Sequence, residues 1–159
     1  MRNIFILITI IFLSSCSQNH KIDIPSPPCL YPYKDYDFSL CDDFYFEVND
    51  DVKKIPKGFI TDLASVPRVL WSIYSPSKAN TIAGAIIHDY LYLCPNGITR
   101  QEADSIFYDS LVIQGVSSYT SYKYWAAVRL FGSSHYHNGA ICTYEYTRTK
   151  DTISDHSMA

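Results

Sequence analysis

The stretch AGAIIHDYLYLCPNGITRQEADSIFYDSL, Ala83–Leu111, decides the fold, because its pattern predicts two helices joined by a tight loop. The Cys-Pro-Asn-Gly sequence in its middle stops the first helix, since proline cannot continue a helix and Asn-Gly favours a turn. Thr99 and Glu102 have the T-x-x-E spacing of a capping box, which predicts the start of the second helix. If the two helices pack antiparallel, Asp104 reaches back to His88.

This helix pair holds the side chains best suited to chemistry. His88 and Tyr92 are four residues apart and therefore share a helix face. A neutral histidine can take a proton from water when a carboxylate orients its ring, and Asp104 is the candidate for that partner. Tyr92 could then donate a hydrogen bond to Asp104. The plainer alternative is a polar helix pair in which His88 and Asp104 bond each other without chemistry, and composition alone favours it.

Asp89 is a candidate metal ligand, and a separate histidine-cysteine cluster near the C-terminus is a second candidate site. Asp89 points about 100° away from His88 around the helix, so it is available for a different task. Carboxylate oxygens suit hard cations such as calcium. His135 and His137, with Cys142 nearby, form a weaker candidate, and a solvated loop explains that spacing more readily.

The chain as a whole predicts an α+β fold, a small antiparallel sheet packed by about three helices, with the His-Asp helix pair at its centre. Phe44–Val48 is β-prone, and Lys57–Thr61 is the expected returning strand of a hairpin. Ser117–Phe131 follows the helical period and predicts a third helix, which Gly132 ends. Ala140–Thr147 alternates like a further strand.

The third helix carries a dense aromatic series, namely Tyr119, Tyr122, Tyr124 and Trp125. Such amphipathic rings are favoured at a membrane surface. Aromatic residues at helical spacing more often belong to a core, so both interpretations stay open.

Residues 1–15 predict a lipoprotein signal peptide, because an arginine precedes an apolar run too short to span a bilayer comfortably. The run ends in Leu-Ser-Ser-Cys, which resembles a bacterial lipobox and implies cleavage before Cys16 and lipid attachment to its thiol. An uncleaved anchor is the alternative. Ser17 after the cysteine, by resemblance to Gram-negative lipoproteins, implies an anchor in the outer membrane that faces the periplasm.

The remaining boundaries and one excluded partner follow from composition and charge. Residues 16–28 are polar and then proline-rich and predict a lipidated tether. Residues 29–149 predict a single globular domain, and residues 150–159 a flexible tail. The net charge of −3, without a basic stripe, argues against nucleic acid as a partner.

Cysteine usage fits an oxidising compartment. Besides Cys16, the chain has Cys29, Cys41, Cys94 and Cys142. These four allow two disulfides in three connectivities, or buried free thiols. None of the spacings is C-x-x-C, so a zinc knuckle or a redox motif is not indicated.

A local resemblance adds specific roles to the helix pair. The pattern H-D-x-x-Y from His88, followed by A-D-x-x-F from Ala103, resembles the active-site helices of phospholipase A2, most closely the compact versions in parvovirus capsid proteins. The resemblance implies that His88 is the general base, Asp89 a calcium ligand and Asp104 the partner of His88, with Tyr92 supporting it. The glycine-rich calcium loop of that family, Y-x-G-x-G, has no counterpart upstream.

A second resemblance covers most of the predicted domain. Its segments are P-x-G-F from Pro56, T-D-L-A-S-V-P-R from Thr61, H-D-x-L-Y from His88, R-x-x-A-D from Arg100 and V-R-x-F-G from Val128. They resemble a domain-of-unknown-function family common in bacteriophages and prophages, which implies a phage context. The resemblance suggests that Asp62 and Arg68 line the cleft of His88, where Asp62 beside Asp89 would complete an oxygen-rich metal site. A capping aspartate and a surface arginine explain those two residues equally well.

The expected function is that of a phage- or prophage-type envelope lipoprotein that hydrolyses an ester, with membrane phospholipid as the candidate substrate. Arg68 and Arg100 would then bind an anionic headgroup. A non-enzymatic lipoprotein that binds an envelope protein and excludes superinfection is the alternative, and a cell-wall-acting lysis enzyme is a lesser one. The hydrolase requires His88 bonded to Asp104 beside an open cavity, whereas a buried His88 without a cavity favours the binding protein.

Overall fold

The structure, a computed structural model, describes residues 19–34, 37–63 and 79–138 of the chain. The strands are β1 Ile22–Asp23, β2 Leu30–Lys34, β3 Asp37–Leu40, β4 Phe44–Val48, β5 Asp51–Ile55 and β6 Ile60–Thr61. The helices are α1 Ile82–Leu93, α2 Arg100–Ile113 and α3 Ser118–Phe131, and a 3₁₀ turn, Gly132–His135, follows α3. The predictions made for Cys16, Arg68, Cys142 and Ala140–Thr147 lie outside the described residues.

The strands form two antiparallel sheets of three strands each, in the orders β1-β4-β5 and β2-β3-β6. The hairpin β4–β5 turns through Asn49 and Asp50, whose φ angles are 53° and 66°. Asn and Asp tolerate this left-handed region, which the tightest two-residue hairpins require. In β4 the side chains of Phe44, Phe46 and Val48 alternate into the core. The predicted α+β class is confirmed, with two small sheets in place of one.

The predicted partner of β4 is wrong. The returning strand is β5, which starts directly after the turn, with Val48 opposite Asp51. Ile60–Thr61, within the predicted returning strand, pairs with β3 in the other sheet. The reason is local: the two-residue turn brings the chain back at once, and Pro56, followed by Gly58 at φ 81°, then ends the hairpin.

The helices follow the predicted layout. Thr99 caps α2 by accepting a hydrogen bond from the backbone N–H of Glu102, at 3.2 Å. The two helices of the pair are antiparallel, because Gly84 of α1 lies against Leu111 of α2. A Cβ on that glycine would come within 3.3 Å of the Leu111 side chain. The glycine therefore allows the close approach of α1 and α2 that positions the site.

The folded part of the chain begins earlier than Cys29. Ile22 lies within residues 16–28, the predicted tether, yet it pairs with Val48 and is 6% exposed. His20 also binds the domain, through hydrogen bonds from its backbone N–H (2.8 Å) and between its Nδ1 and the same carboxylate oxygen of Asp109 (3.0 Å). This part of the tether is therefore docked on the domain.

A disulfide joins Cys29 to Cys41, across the hairpin of β2 and β3. Cys94, at the end of α1, is fully buried and is also disulfide-bonded. The Cys29–Cys41 bond is one of the pairings that the sequence allows. None of the helices within the described ranges is long and apolar enough to cross a membrane.

Candidate active site

The site is built around the imidazole of His88, a buried residue of α1. His88 is 2% exposed. Its ring packs against two aromatic rings, with centroid distances of 4.1 Å to Tyr92 on the next turn and 4.7 Å to Phe107 on α2. The i, i+4 spacing within α1 and the antiparallel packing of α2 together fix the orientation of the imidazole.

The carboxylate of Asp104, which is 0% exposed, connects three helices. Nε2 of His88 lies 2.9 Å from its Oδ1, and the Tyr92 hydroxyl donates a hydrogen bond of 2.6 Å to the same oxygen. Nη1 of Arg129, from α3, donates a hydrogen bond of 2.8 Å to the other oxygen, Oδ2. Two side chains from α1 and one from α3 therefore hold the carboxylate of Asp104.

The electrostatics of this network give each group a definite charge. Burial works to raise the pKa of Asp104, but hydrogen bonds from His88, Tyr92 and Arg129 outweigh it and lower the pKa. Burial lowers the pKa of His88, against the raising effect of Asp104. Burial, reinforced by Asp104, raises the pKa of Tyr92. At neutral pH the network contains a carboxylate, a neutral imidazole and a protonated phenol.

These charges fix the tautomer of His88. An ionised carboxylate can only accept hydrogen bonds, so Nε2 of His88 must carry the proton that it donates to Asp104. In a neutral imidazole the other nitrogen, Nδ1, then keeps its lone pair. The guanidinium of Arg129 offsets the charge of Asp104, which allows the adjacent imidazole to stay neutral. The arrangement is a neutral imidazole that donates a hydrogen bond from Nε2 to a buried carboxylate.

The Tyr92 side of the network is closely packed. A Cβ on Gly132 would come within 2.9 Å of the Tyr92 hydroxyl oxygen. The Tyr136 ring contacts the Tyr92 ring edge to face, with centroids 5.5 Å apart. Arg100 lies within hydrogen-bonding reach of Tyr92 and donates to the Arg129 carbonyl at 3.3 Å. The start of α2 and the end of α3 thus enclose the phenol.

Asp89 faces away from this network, as its position in α1 predicts. Its Oδ2 accepts a hydrogen bond of 2.5 Å from the Thr61 hydroxyl, at the end of β6. Thr61 also accepts from the N–H of Leu63, a buried residue with φ 54°. The turn around Asp62 is therefore tied to α1, which brings the chain segment of Asp62 towards Asp89.

Calcium takes about six to eight oxygen ligands. Within the described ranges, three or more acidic, histidine or cysteine residues do not come together at any point where a metal could be held. Asp89 and Asp62 alone do not provide a complete donor set, and the calcium assignment stays a prediction. His135 and His137 are both exposed, and they too belong to no metal-binding group among the described residues.

A cavity of about 440 Å³ opens beside the start of α2. The residues that line it include Ile98, Thr99, Arg100, Ser133, Tyr136 and Asn138. His88 is not among its lining residues. Two of the lining residues, Arg100 and Tyr136, contact Tyr92, which in turn packs against His88. A smaller cavity of about 150 Å³ lies between α1 and β5 and is lined in part by Lys53 and Lys54. The larger cavity therefore approaches the network from the Tyr92 side.

The structure brings together His88, Tyr92 and Asp104, as the sequence predicts, and places Arg100 next to them. The sequence does not predict the hydrogen bond from Arg129 to Asp104. The V-R-x-F-G segment, which contains Arg129 and Gly132, was the available signal.

The fold and the site define an α+β protein with a buried His-Asp-Tyr network on two antiparallel helices. A family model described as a protein of unknown function (DUF1353) matches residues 38–128, more than half of the chain, and the chain belongs to that family. The match contains His88, Tyr92 and Asp104, and it ends one residue before Arg129. No curated protein and no solved structure gives a significant match.

Proposed function

We propose that the chain is an envelope lipoprotein of phage or prophage type that hydrolyses an ester, with His88 as the base that activates water. The observation that supports this most is the 2.9 Å contact between Nε2 of His88 and Asp104. Two further donors, Tyr92 and Arg129, hold the same carboxylate. In this proposal the His-Asp helix pair is the functional centre of the domain.

The chemistry follows from the tautomer. Nδ1 of His88 takes a proton from water while the water oxygen attacks the ester carbonyl. The resulting imidazolium is stabilised by Asp104, to which Nε2–H stays bonded. Collapse of the tetrahedral intermediate breaks the bond to the leaving oxygen, which receives the proton from Nδ1. The products are a carboxylic acid and an alcohol, and the imidazole returns to its neutral state.

The substrate class is suggested by the 440 Å³ cavity. Arg100 lies on its wall with the hydroxyls of Thr99 and Ser133, and a guanidinium among hydroxyls suits a phosphate or carboxylate group. Arg100 forms no ion pair with a carboxylate in the part of the chain that the structure describes. Apolar surface from Pro95 and Ile98 completes the lining. A membrane phospholipid combines an ester, an anionic phosphate and apolar chains, and is the proposed substrate.

The proposed location is the periplasmic face of the outer membrane, through a lipid on Cys16. The lipobox-like sequence before Cys16 supports the anchor. The Cys29–Cys41 disulfide agrees with an oxidising compartment, because stable disulfides are rare in the cytosol.

A second candidate function is a non-enzymatic lipoprotein that binds an envelope protein and excludes superinfection. The burial of His88 favours it, since an imidazole that is 2% exposed and packed against two rings offers little surface to a substrate. In that case the network has a structural role, and the exposed surfaces of the domain carry the function.

The two candidates are separated by an assay with phospholipid vesicles labelled in the acyl chains. The lipidated protein is incubated with calcium or with chelator, beside His88→Gln and Asp104→Asn variants. His137→Gln is the matched control, because its side chain is exposed and outside the network. Loss of a general base reduces the rate by about 10²- to 10⁴-fold.

If the protein is a hydrolase, the parent protein and His137→Gln should release fatty acid. The His88→Gln and Asp104→Asn variants should not. Release that depends on calcium would direct attention to Asp89 and Asp62. Release at equal rates from the parent protein and from a folded His88→Gln variant would rule out the base. No release under any condition would leave the binding lipoprotein as the account, with peptidoglycan as the next substrate to test.

A further inference from the structure

The outward face of α3 is apolar along its length. Tyr119, Tyr122 and Leu130 are 73%, 41% and 69% exposed, with Ala126 between them on the same face. Phe131, the last residue of the helix, is 56% exposed. Fourteen residues of helix are about 21 Å long, so this face is an extended stripe rather than a single exposed side chain.

The stripe continues onto the end of α2. The two helices are antiparallel, because Arg129 contacts Asp104 at one end and the rings of Tyr124 and Phe107 meet in the middle. The start of α3 therefore lies beside the end of α2, where Val112 and Ile113 are 38% and 50% exposed. We name these exposed residues the α3 surface: Val112, Ile113, Tyr119, Tyr122, Leu130 and Phe131.

The chain that would carry the lipid reaches the domain next to this surface. His20 is held by Asp109, which is one helical turn before Ile113 on α2. Cys16 is only four residues before His20. At 3.3–3.6 Å per residue, an extended chain places the lipidated thiol within roughly 14 Å of His20. The link between the lipid and the domain is therefore short.

We propose that the α3 surface lies against the bilayer into which the lipid on Cys16 inserts. This inference rests on the proposed lipidation. A short link fixes the end of α2 near the headgroups, and the exposed apolar side chains there are then removed from water. Tyrosine rings are favoured in this interface because one end is apolar and the other forms hydrogen bonds.

Charge agrees with this partner. The sequence of α3, SYTSYKYWAAVRLF, contains no acidic residue, although the chain as a whole has a net charge of −3. The ammonium of Lys123 lies 4.6 Å from the centre of the Tyr119 ring, at the border of the stripe. A lysine in that position can reach lipid phosphates while its apolar stem covers the ring.

The docking also connects the membrane with the proposed substrate site. Ser133, which lines the 440 Å³ cavity, is two residues after Phe131 at the end of the stripe. A domain that lies with α3 along the bilayer therefore holds the mouth of this cavity at the level of the headgroups. A phospholipid could enter it without leaving the membrane completely.

The test uses the full-length lipidated protein in vesicles of phosphatidylethanolamine and phosphatidylglycerol, with brominated acyl chains as quenchers of tryptophan. Tyr119→Trp and Leu130→Trp report on the two ends of the stripe. Val52→Trp is the control, because Val52 is 60% exposed on β5, the outer strand of a sheet. The parent protein supplies the background from Trp71 and Trp125. Flotation with the vesicles measures the anchor independently.

We expect brominated lipid to reduce the fluorescence that Tyr119→Trp and Leu130→Trp add, and to leave that of Val52→Trp unchanged. Proteins that float with the vesicles but show no quenching at either position would overturn the docking and leave the anchor intact. Equal quenching at all three positions would also overturn it, because no particular face would then meet the bilayer. Failure to float would overturn the anchor and the docking together.

Discussion

Nη1 of Arg129 lies 2.8 Å from Oδ2 of Asp104, on the carboxylate oxygen opposite the one that His88 and Tyr92 share. The third helix therefore supplies the charge that balances a fully buried carboxylate. Because that charge comes from an arginine, the histidine beside Asp104 is not required to become a cation. This contact explains how His88 can stay neutral although its Nε2 lies 2.9 Å from the Asp104 carboxylate.

Removal of this guanidinium is expected to be costly. Arg129→Met leaves the Asp104 carboxylate buried without its counter-charge, which should lower the free energy of unfolding by about 3 kcal/mol. Lys123→Met is the matched control, because it removes a cation from the same helix that does not bond Asp104, and its effect should stay within about 0.5 kcal/mol. Urea denaturation of both variants measures the difference. Similar small losses in both would contradict the role of Arg129.

The contact between Gly132 and Tyr92 predicts a steric effect rather than a backbone effect. Gly132 has φ −79°, which alanine adopts freely, but a Cβ would lie 2.9 Å from the Tyr92 hydroxyl oxygen. Gly132→Ala should therefore cost about 1–3 kcal/mol of stability through overpacking. In the Tyr92→Phe background the nearest atom is gone, so the cost should fall, with a coupling of about 0.5–3 kcal/mol. Strict additivity of the two substitutions would show that the atoms do not meet.

The lowered pKa of His88 predicts how stability depends on pH. Below the ordinary value of 6.5 the unfolded chain binds a proton on this residue that the folded chain does not. Acidification through this range should therefore reduce the free energy of unfolding, by up to about 1.4 kcal/mol per pH unit from this group. The lowered pKa of Asp104 adds its own loss only below 3.8. Urea midpoints measured above and below pH 6.5 should change less in His88→Gln, and an equal slope would contradict the assignment.

The Cys29–Cys41 disulfide should stabilise the β2–β3 hairpin mainly by restricting the unfolded chain. The two cysteines are 12 residues apart, and closing a loop of that size contributes roughly 3 kcal/mol. Cys29→Ser, Cys41→Ser and the double variant should lose the same amount, because each breaks the same bond. Thermal unfolding of the three proteins tests this. Unequal losses would show that one cysteine contributes through packing instead.

The sequence predicted the parts of the site that depend on local spacing. His88 and Tyr92 share a face because they are one turn apart, and the capped start at Thr99 sets the phase of α2 that points Asp104 at His88. These are consequences of helix geometry and of a short loop, both of which are visible in a single segment.

The parts that were missed depend on contacts between distant segments. Ile22 pairs with Val48, which lies far along the chain from it. The strand that contains Ile22 has only two residues, too few to show a recognisable pattern. Arg129 reaches Asp104 only because a third helix packs on the pair. The hairpin partner of β4 was missed because pairing resumes at Asp51, directly after the two-residue turn at Asn49 and Asp50 and before the segment expected to return.

The central claim is that Asp104 holds His88 as a neutral base, and the most direct test is the tautomeric state of His88. The ¹⁵N chemical shifts of its imidazole, measured by NMR at neutral pH and assigned with the His88→Gln variant, report which nitrogen carries the proton. We predict a proton on Nε2 and a bare Nδ1. A proton on Nδ1, or an imidazolium with both nitrogens protonated, would contradict the account, because Nδ1 would then have no lone pair to accept a proton from water.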